Sequence, residues 1–145
     1  MVVIFFILML TGVAFVIQST DILKKEFKTA KRKRQVSKDV KAAGGMKKKY
    51  FYLIERILFC YKDYKILRET DMSIYIGSVA YGESEIFCLS QTIDSKLHIT
   101  FERKNTTRGQ TLSWNFWDNL DQTTMIEIII KDIEEKINVQ SITNN

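Results

Sequence analysis

Lys96-Leu97-His98-Ile99-Thr100-Phe101-Glu102 decides the fold together with Thr111-Leu112-Ser113-Trp114-Asn115-Phe116, because apolar and polar residues alternate without a break in both. A period of two sends Leu97, Ile99 and Phe101, and likewise Leu112, Trp114 and Phe116, to one face of a sheet. Residues 72–80 and 85–91 are less regular but rich in strand-forming side chains. Tyr81-Gly82-Glu83-Ser84, Asp94-Ser95 and residues 105–109 between them read as turns. Four antiparallel strands in a meander are the simplest assembly.

On either side the period becomes that of a helix. Tyr50, Leu53, Ile54, Ile57, Leu58, Tyr61 and Tyr64 recur at three- and four-residue spacing, with Glu55, Arg56, Lys62, Asp63 and Lys65 between them, which predicts an amphipathic helix over about 46–68. Thr124 and Glu127 have the spacing of a capping box, so a terminal helix is expected to begin there. Ile126, Ile129, Ile130, Ile133 and Ile137 form its inner stripe, and Glu127/Lys131 and Asp132/Lys136 are suited to pair along its outer face. The β-branching of isoleucine keeps a strand over 125–130 as the alternative. The expected domain is α+β: a helix, a four-stranded antiparallel meander and a C-terminal helix, with both helices on one sheet face and the other face open for contact.

Upstream, residues 1–17 (MVVIFFILMLTGVAFVI) carry no charge. As a helix they would rise about 26 Å, close to the hydrocarbon thickness of a bilayer. A basic leader region and a small-residue cleavage site are both missing, which favours an uncleaved anchor; the alternative is a secreted or periplasmic binding domain left after leader cleavage. Lys24, Lys25, Lys28, Lys31, Arg32, Lys33 and Arg34 follow the apolar run, and such charge is retained on the inner side. The expectation is a single-pass membrane protein, N-terminus outside and C-terminal domain cytoplasmic.

The formal net charge of +5 is unevenly spread. Residues 24–49 hold twelve Lys or Arg against Glu26 and Asp39, whereas from Tyr50 onward ten basic residues face fourteen acidic ones, a net of −4. The chain therefore divides into a membrane anchor over 1–23, a basic juxtamembrane linker over 24–49, an α+β domain over 50–140 and a flexible tail over 141–145. Gly44-Gly45 is read as a joint within the linker. The acidic domain is a poor match for nucleic acid, while the linker suits a surface of anionic lipid.

Residues able to carry chemistry are few. His98 is the only histidine, and the two cysteines do not form a pair at ligand spacing. Cys60 and Cys88 lie among apolar neighbours and are expected as buried thiols. The glycines form no phosphate-cradling pattern, and Asp118 and Asp121 read better as helix-start residues than as calcium ligands. No catalytic, cofactor or metal residue is assigned, and the reading is a non-enzymatic, membrane-anchored adaptor or complex subunit. Its lipid contact is residues 1–23, with anionic contact through Lys24 to Arg34, and its protein partner is expected at Trp117, His98 and Asn115. The alternative makes the polybasic segment the active part, gripping anionic lipid or nucleic acid; no oligomeric state follows from the sequence.

If residues 1–17 remain attached and seated in lipid, carbonate washing leaves the full-length chain in the vesicle pellet. Its appearance in the wash overturns the tether.

Overall fold

In a computed structural model of the 145-residue chain, the described backbone covers residues 2–80, 82–105 and 109–142, and the described side chains are those of 21–80, 82–105 and 109–136. Two compact units divide the chain, Met1–Gln35 and Val36–Asn145. The first unit is helical: α1 runs from Val2 to Ala42, beginning in that unit and ending in the next. Among the described residues no helix is long and apolar enough to cross a membrane. The anchor expected over 1–23 falls mainly on residues whose side chains lie outside the described set. Most of the expected tail, 143–145, lies outside it as well.

The second unit begins with the end of α1, which stops in a hydrogen-bonded cap and not in a loose joint. Gly44 N–H donates to Lys41 C=O and Gly45 N–H to Val40 C=O, both at 2.9 Å. Both glycines have φ of 92°, a conformation that side-chain-bearing residues rarely adopt. This paired closure satisfies carbonyls that a helix end otherwise leaves without partners. It also turns the chain so that Val40 and Met46, from the stretch read as linker, enter the core with Val36 packed against them.

Helices α2 (Met46–Lys49) and α3 (Phe51–Cys60) follow, then strands β1 (Lys65–Glu69), β2 (Ser73–Ala80), β3 (Glu83–Gln91), β4 (Lys96–Lys104) and β5 (Gly109–Trp117), and finally α4 (Gln122–Ile142). The sheet has five strands in the order β1-β2-β3-β4-β5, every neighbouring pair antiparallel. The α+β class and the meander are as expected, but the strand count of four is corrected to five.

The additional strand comes from residues read as helix. The three- and four-residue spacing over 46–68 holds only as far as Cys60, and at Tyr61 the chain becomes extended, with φ −123° and ψ 92°. Tyr61 and Tyr64 are still covered, but by stacking on one another at 4.6 Å and leaning on Phe87. Burial without helix is therefore enough to explain the tyrosine spacing. Beyond them β1 pairs with β2, giving backbone partners to a strand that would otherwise have been the sheet's edge.

The helices cover one face of the sheet. Ile74 and Ile76 of β2, Phe87 and Leu89 of β3, and Leu97, Ile99 and Phe101 of β4 are buried there, with Trp114 and Phe116 of β5. Leu53, Ile54 and Ile57 of α3 meet them, as do Met125, Ile126, Ile129 and Ile133 of α4. The strand alternative over 125–130 is thus overturned, since α4 buries residues at helical spacing. Its cap is Asp121, whose carboxylate accepts from Thr124 N–H at 3.1 Å, and not Thr124 itself. Lys131 lies 3.9 Å from Glu135, not paired with Glu127, and Lys136 lies 3.6 Å from Asp132. The cysteines are less enclosed than expected, with Cys60 exposed and Cys88 half-buried.

Gly77 sits where the backbone of β3 leaves no room for a side chain on β2. A Cβ there would lie 2.0 Å from the Glu85 carbonyl oxygen and 2.9 Å from Ile86 Cα. Because both obstacles are backbone, Gly77→Ala is expected to destabilise the domain by about 1–3 kcal/mol or more. Urea-induced unfolding measures this; an unchanged midpoint would contradict the close approach.

Candidate functional site

The sheet face turned away from the helices is polar, and its composition follows from the register. Alternation puts Tyr75, Cys88, Thr100 and Ser113 in one cross-strand row, and Ser73, Ser90, His98 and Asn115 in the next. Short contacts link the second row and tie it to the first. Ser73 Oγ lies 2.9 Å from Ser90 Oγ, Ser90 Oγ lies 3.3 Å from Cys88 Sγ, and His98 Nδ1 lies 2.8 Å from Asn115 Oδ1. Hydrogen bonding to the Cys88 thiol raises the Tyr75 phenol above its ordinary value.

Lys96 and Trp117 close this face at one end, directly opposite each other across β4 and β5. The Lys96 ammonium sits 4.3 Å from the centre of the Trp117 ring, a cation–π contact that holds the indole in place. Trp117 is nevertheless 62% exposed. His98 and Asn115 are brought together and share the open face with Trp117. The basic residues Lys24, Lys25, Lys28, Lys31, Arg32, Lys33 and Arg34 belong to the first unit and are all exposed on α1.

Behind Trp117 lies a cluster that sequence reasoning missed. Lys49 Nζ bonds Asp118 Oδ2 at 2.7 Å and Gln91 Oε1 at 3.0 Å. The Tyr50 hydroxyl contacts both Gln91 Oε1 and Asp118 Oδ1, and its single proton serves the carboxylate. Gln122 completes the tie: its Nε2 donates to the Lys49 carbonyl at 3.0 Å and its Oε1 accepts from Leu53 N–H at 3.1 Å. Among the described residues no buried side-chain polar atom lacks a partner. Asp118, read as a helix-start residue, is instead the anion on which this cluster converges. No spacing rule could have found it, because its hydrogen-bonded partners lie 41 to 73 residues apart.

A second missed surface lies between α3 and α4. Tyr52, Arg56, Gln122, Thr123, Ile126, Glu127 and Ile130 line a shallow groove of about 240 Å³. Tyr52 and Phe59, both 75% exposed, stand on the outer side of α3, with the Arg56 guanidinium 5.6 Å from the Phe59 ring. Neither ring belongs to the stripe of Tyr50, Leu53, Ile54 and Ile57 that the helical pattern marks for burial.

Among the described residues no group of three or more His, Cys, Asp or Glu side chains is placed to hold a metal ion. His98 faces the Asn115 amide, and the arrangement offers hydrogen bonding and aromatic contact. Comparison with protein-family models, with curated proteins and with solved structures finds no match for the chain.

Burial, followed by the nearby Asp118, raises the Tyr50 phenol far above the ordinary tyrosine value, and burial and Glu85 do the same to Tyr64, which donates to Glu85 at 2.6 Å. Below pH about 10 both folded and unfolded phenols are neutral, and above it only the unfolded ones ionise, so stability falls as pH rises through that range. For Tyr50→Phe the decline above pH 10 should be shallower by up to about 1.4 kcal/mol per pH unit. Unfolding titrations of wild type and variant from pH 9 upward check this; parallel pH profiles would contradict the buried neutral phenol.

Proposed function

We propose that the chain is a membrane-tethered, non-enzymatic adaptor or complex subunit, held by residues 1–23, whose α+β domain docks a protein partner on the cytoplasmic side through the open face of its sheet. The observation that supports this most directly is Trp117, an indole pinned by Lys96 yet largely exposed. Tryptophan is enriched among the residues that carry binding energy at interfaces, and one already held in a single orientation loses little freedom on binding. The hydroxyls of Thr100 and Ser113 and the His98–Asn115 pair on the same face supply directional donors and acceptors.

A second reading is supported by the unbroken exposure of the α1 basic residues, Lys24 to Arg34, which suits an anionic lipid surface or nucleic acid. Ionic strength separates the two. Counterion-linked contacts weaken steeply with salt, whereas a Trp-centred protein interface changes little.

A photo-crosslinker at Asn115 of the full chain in intact membranes is expected to capture a discrete protein neighbour. Trp117→Ala should weaken that association by about 2 kcal/mol or more, roughly a thirtyfold loss in affinity. Capture that survives Trp117→Ala and vanishes with moderate salt would count against the sheet face and for the basic segment.

A further inference from the structure

The two edges of the sheet are built differently. Strand β1 is short, carries Lys65, Arg68 and Glu69, and breaks register between Ile66 and Arg68. Charge, brevity and a bulge are the devices that keep an edge strand from pairing with another chain. Strand β5 has none of them. Its nine residues, GQTLSWNFW, include no charged side chain and no proline, and its register with β4 is continuous from Gly109 to Trp117.

The unused hydrogen bonds of β5 can be assigned. Asp118 N–H donates to Ser95 C=O, and Asp118 and Ser95 continue the β4–β5 register. Hydrogen-bonded pairs recur every second residue in an antiparallel ladder, so Gln110, Leu112, Trp114 and Phe116 direct their backbone groups to β4. Thr111, Ser113 and Asn115 direct theirs to the outer edge, where no backbone partner exists among the described residues.

We propose that this edge binds the β5 of a second copy of the chain, joining two five-stranded sheets into one across a two-fold axis at Ser113. The strand is its own complement in that register. Ser113 faces Ser113 of the second copy, Thr111 faces Asn115, and Gly109 faces Trp117, so that the indole lies over a residue with no side chain to obstruct it. No like charges meet anywhere along the seam. On the helix-covered side, Ile126 and Ile130 of α4 border the groove against α3, while Ile128 turns to the opposite flank. On that flank Asp132 receives the Trp114 indole N–H at 2.8 Å, which places it above β5. Ile128 is 40% exposed there, and edge pairing brings an apolar residue from each copy toward the junction. The pairing uses backbone groups of the edge and leaves the side chains of the open face on the side away from the helices.

The test uses the full chain in a non-ionic detergent, reading mass by sedimentation and amide exchange residue by residue. The expected result is twice the mass of one chain, with the amides of Thr111, Ser113 and Asn115 exchanging as slowly as their even-numbered neighbours. At about 100 times the dissociation constant, those three amides should slow by roughly a hundredfold. Ser113→Pro removes an outward-facing N–H while leaving the bonds to β4 in place. It should return the chain to monomer mass and quicken exchange at Thr111 and Asn115, with Leu112, Trp114 and Phe116 still protected, which shows that the variant is folded. Rapid exchange of the three outward amides in the wild type overturns the proposal. So does slow exchange at monomer mass, which would mean that another segment or a different partner covers the edge. A double-mass species that persists in Ser113→Pro with those amides exposed overturns it too, by placing self-association elsewhere.

Discussion

Helices on one side only of a twisted meander impose the constraint from which most of this structure follows. Once Phe87, Leu89, Leu97, Ile99, Trp114 and Phe116 are committed to the covered side, the intervening residues have no choice of direction. A slip of one residue in any pairing would exchange an aliphatic core for serine, threonine and histidine, so the register is held by the burial energy of the whole face. The polar open face is thus a consequence of the apolar one. Cross-strand rows such as Ser73, Ser90, His98 and Asn115 come together because their neighbours in sequence are buried.

The helices need a fixed seat as well as an apolar surface, and the Lys49–Tyr50–Gln91–Asp118 cluster with Gln122 provides it. Apolar contact is tolerant of small rotations, whereas a half-buried ion pair that is also hydrogen-bonded to Tyr50 and Gln91 is not. Four parts of the chain meet there: the α2–α3 junction, the end of β3, the turn after β5 and the start of α4. The turn that carries Asp118 directly follows Trp117. The cluster that positions the helices therefore also fixes the backbone from which the exposed indole projects.

Three surfaces of different chemistry result: a basic helical stretch in the first unit, and an open polar face with an exposed tryptophan and a bare strand edge in the second. On the proposed reading each makes a different kind of contact, the first electrostatic and long-ranged, the second aromatic and directional, the third built from backbone hydrogen bonds. The proposed tether would favour the last two, since confinement to a membrane raises the local concentration of any partner confined to it, including a second copy.

Alternation over 96–102 and 111–116 was legible in the sequence because the two faces of those strands meet different surroundings, and polarity records that directly. The terminal helix was legible from its isoleucine spacing, although its true cap, Asp121, is one helical turn's reach before the threonine that resembles one. Strand β1 was not legible. Five residues are too few to establish a period, and Tyr61 and Tyr64 before it carry helical spacing while packing on Phe87 from the two ends of a hydrogen-bonded turn. The Gly44-Gly45 pair announced a break, but whether it would be loose or hydrogen-bonded depended on Val40 and Met46 finding the core. What the sequence determined by itself was local: which segments alternate, which repeat every three or four residues, and where charge accumulates. Tertiary structure decided the number of strands, the ionic cluster and which strands stand at the sheet's edges, because each depends on residues brought together from far apart in the chain, and a periodicity reports only a side chain's immediate neighbours.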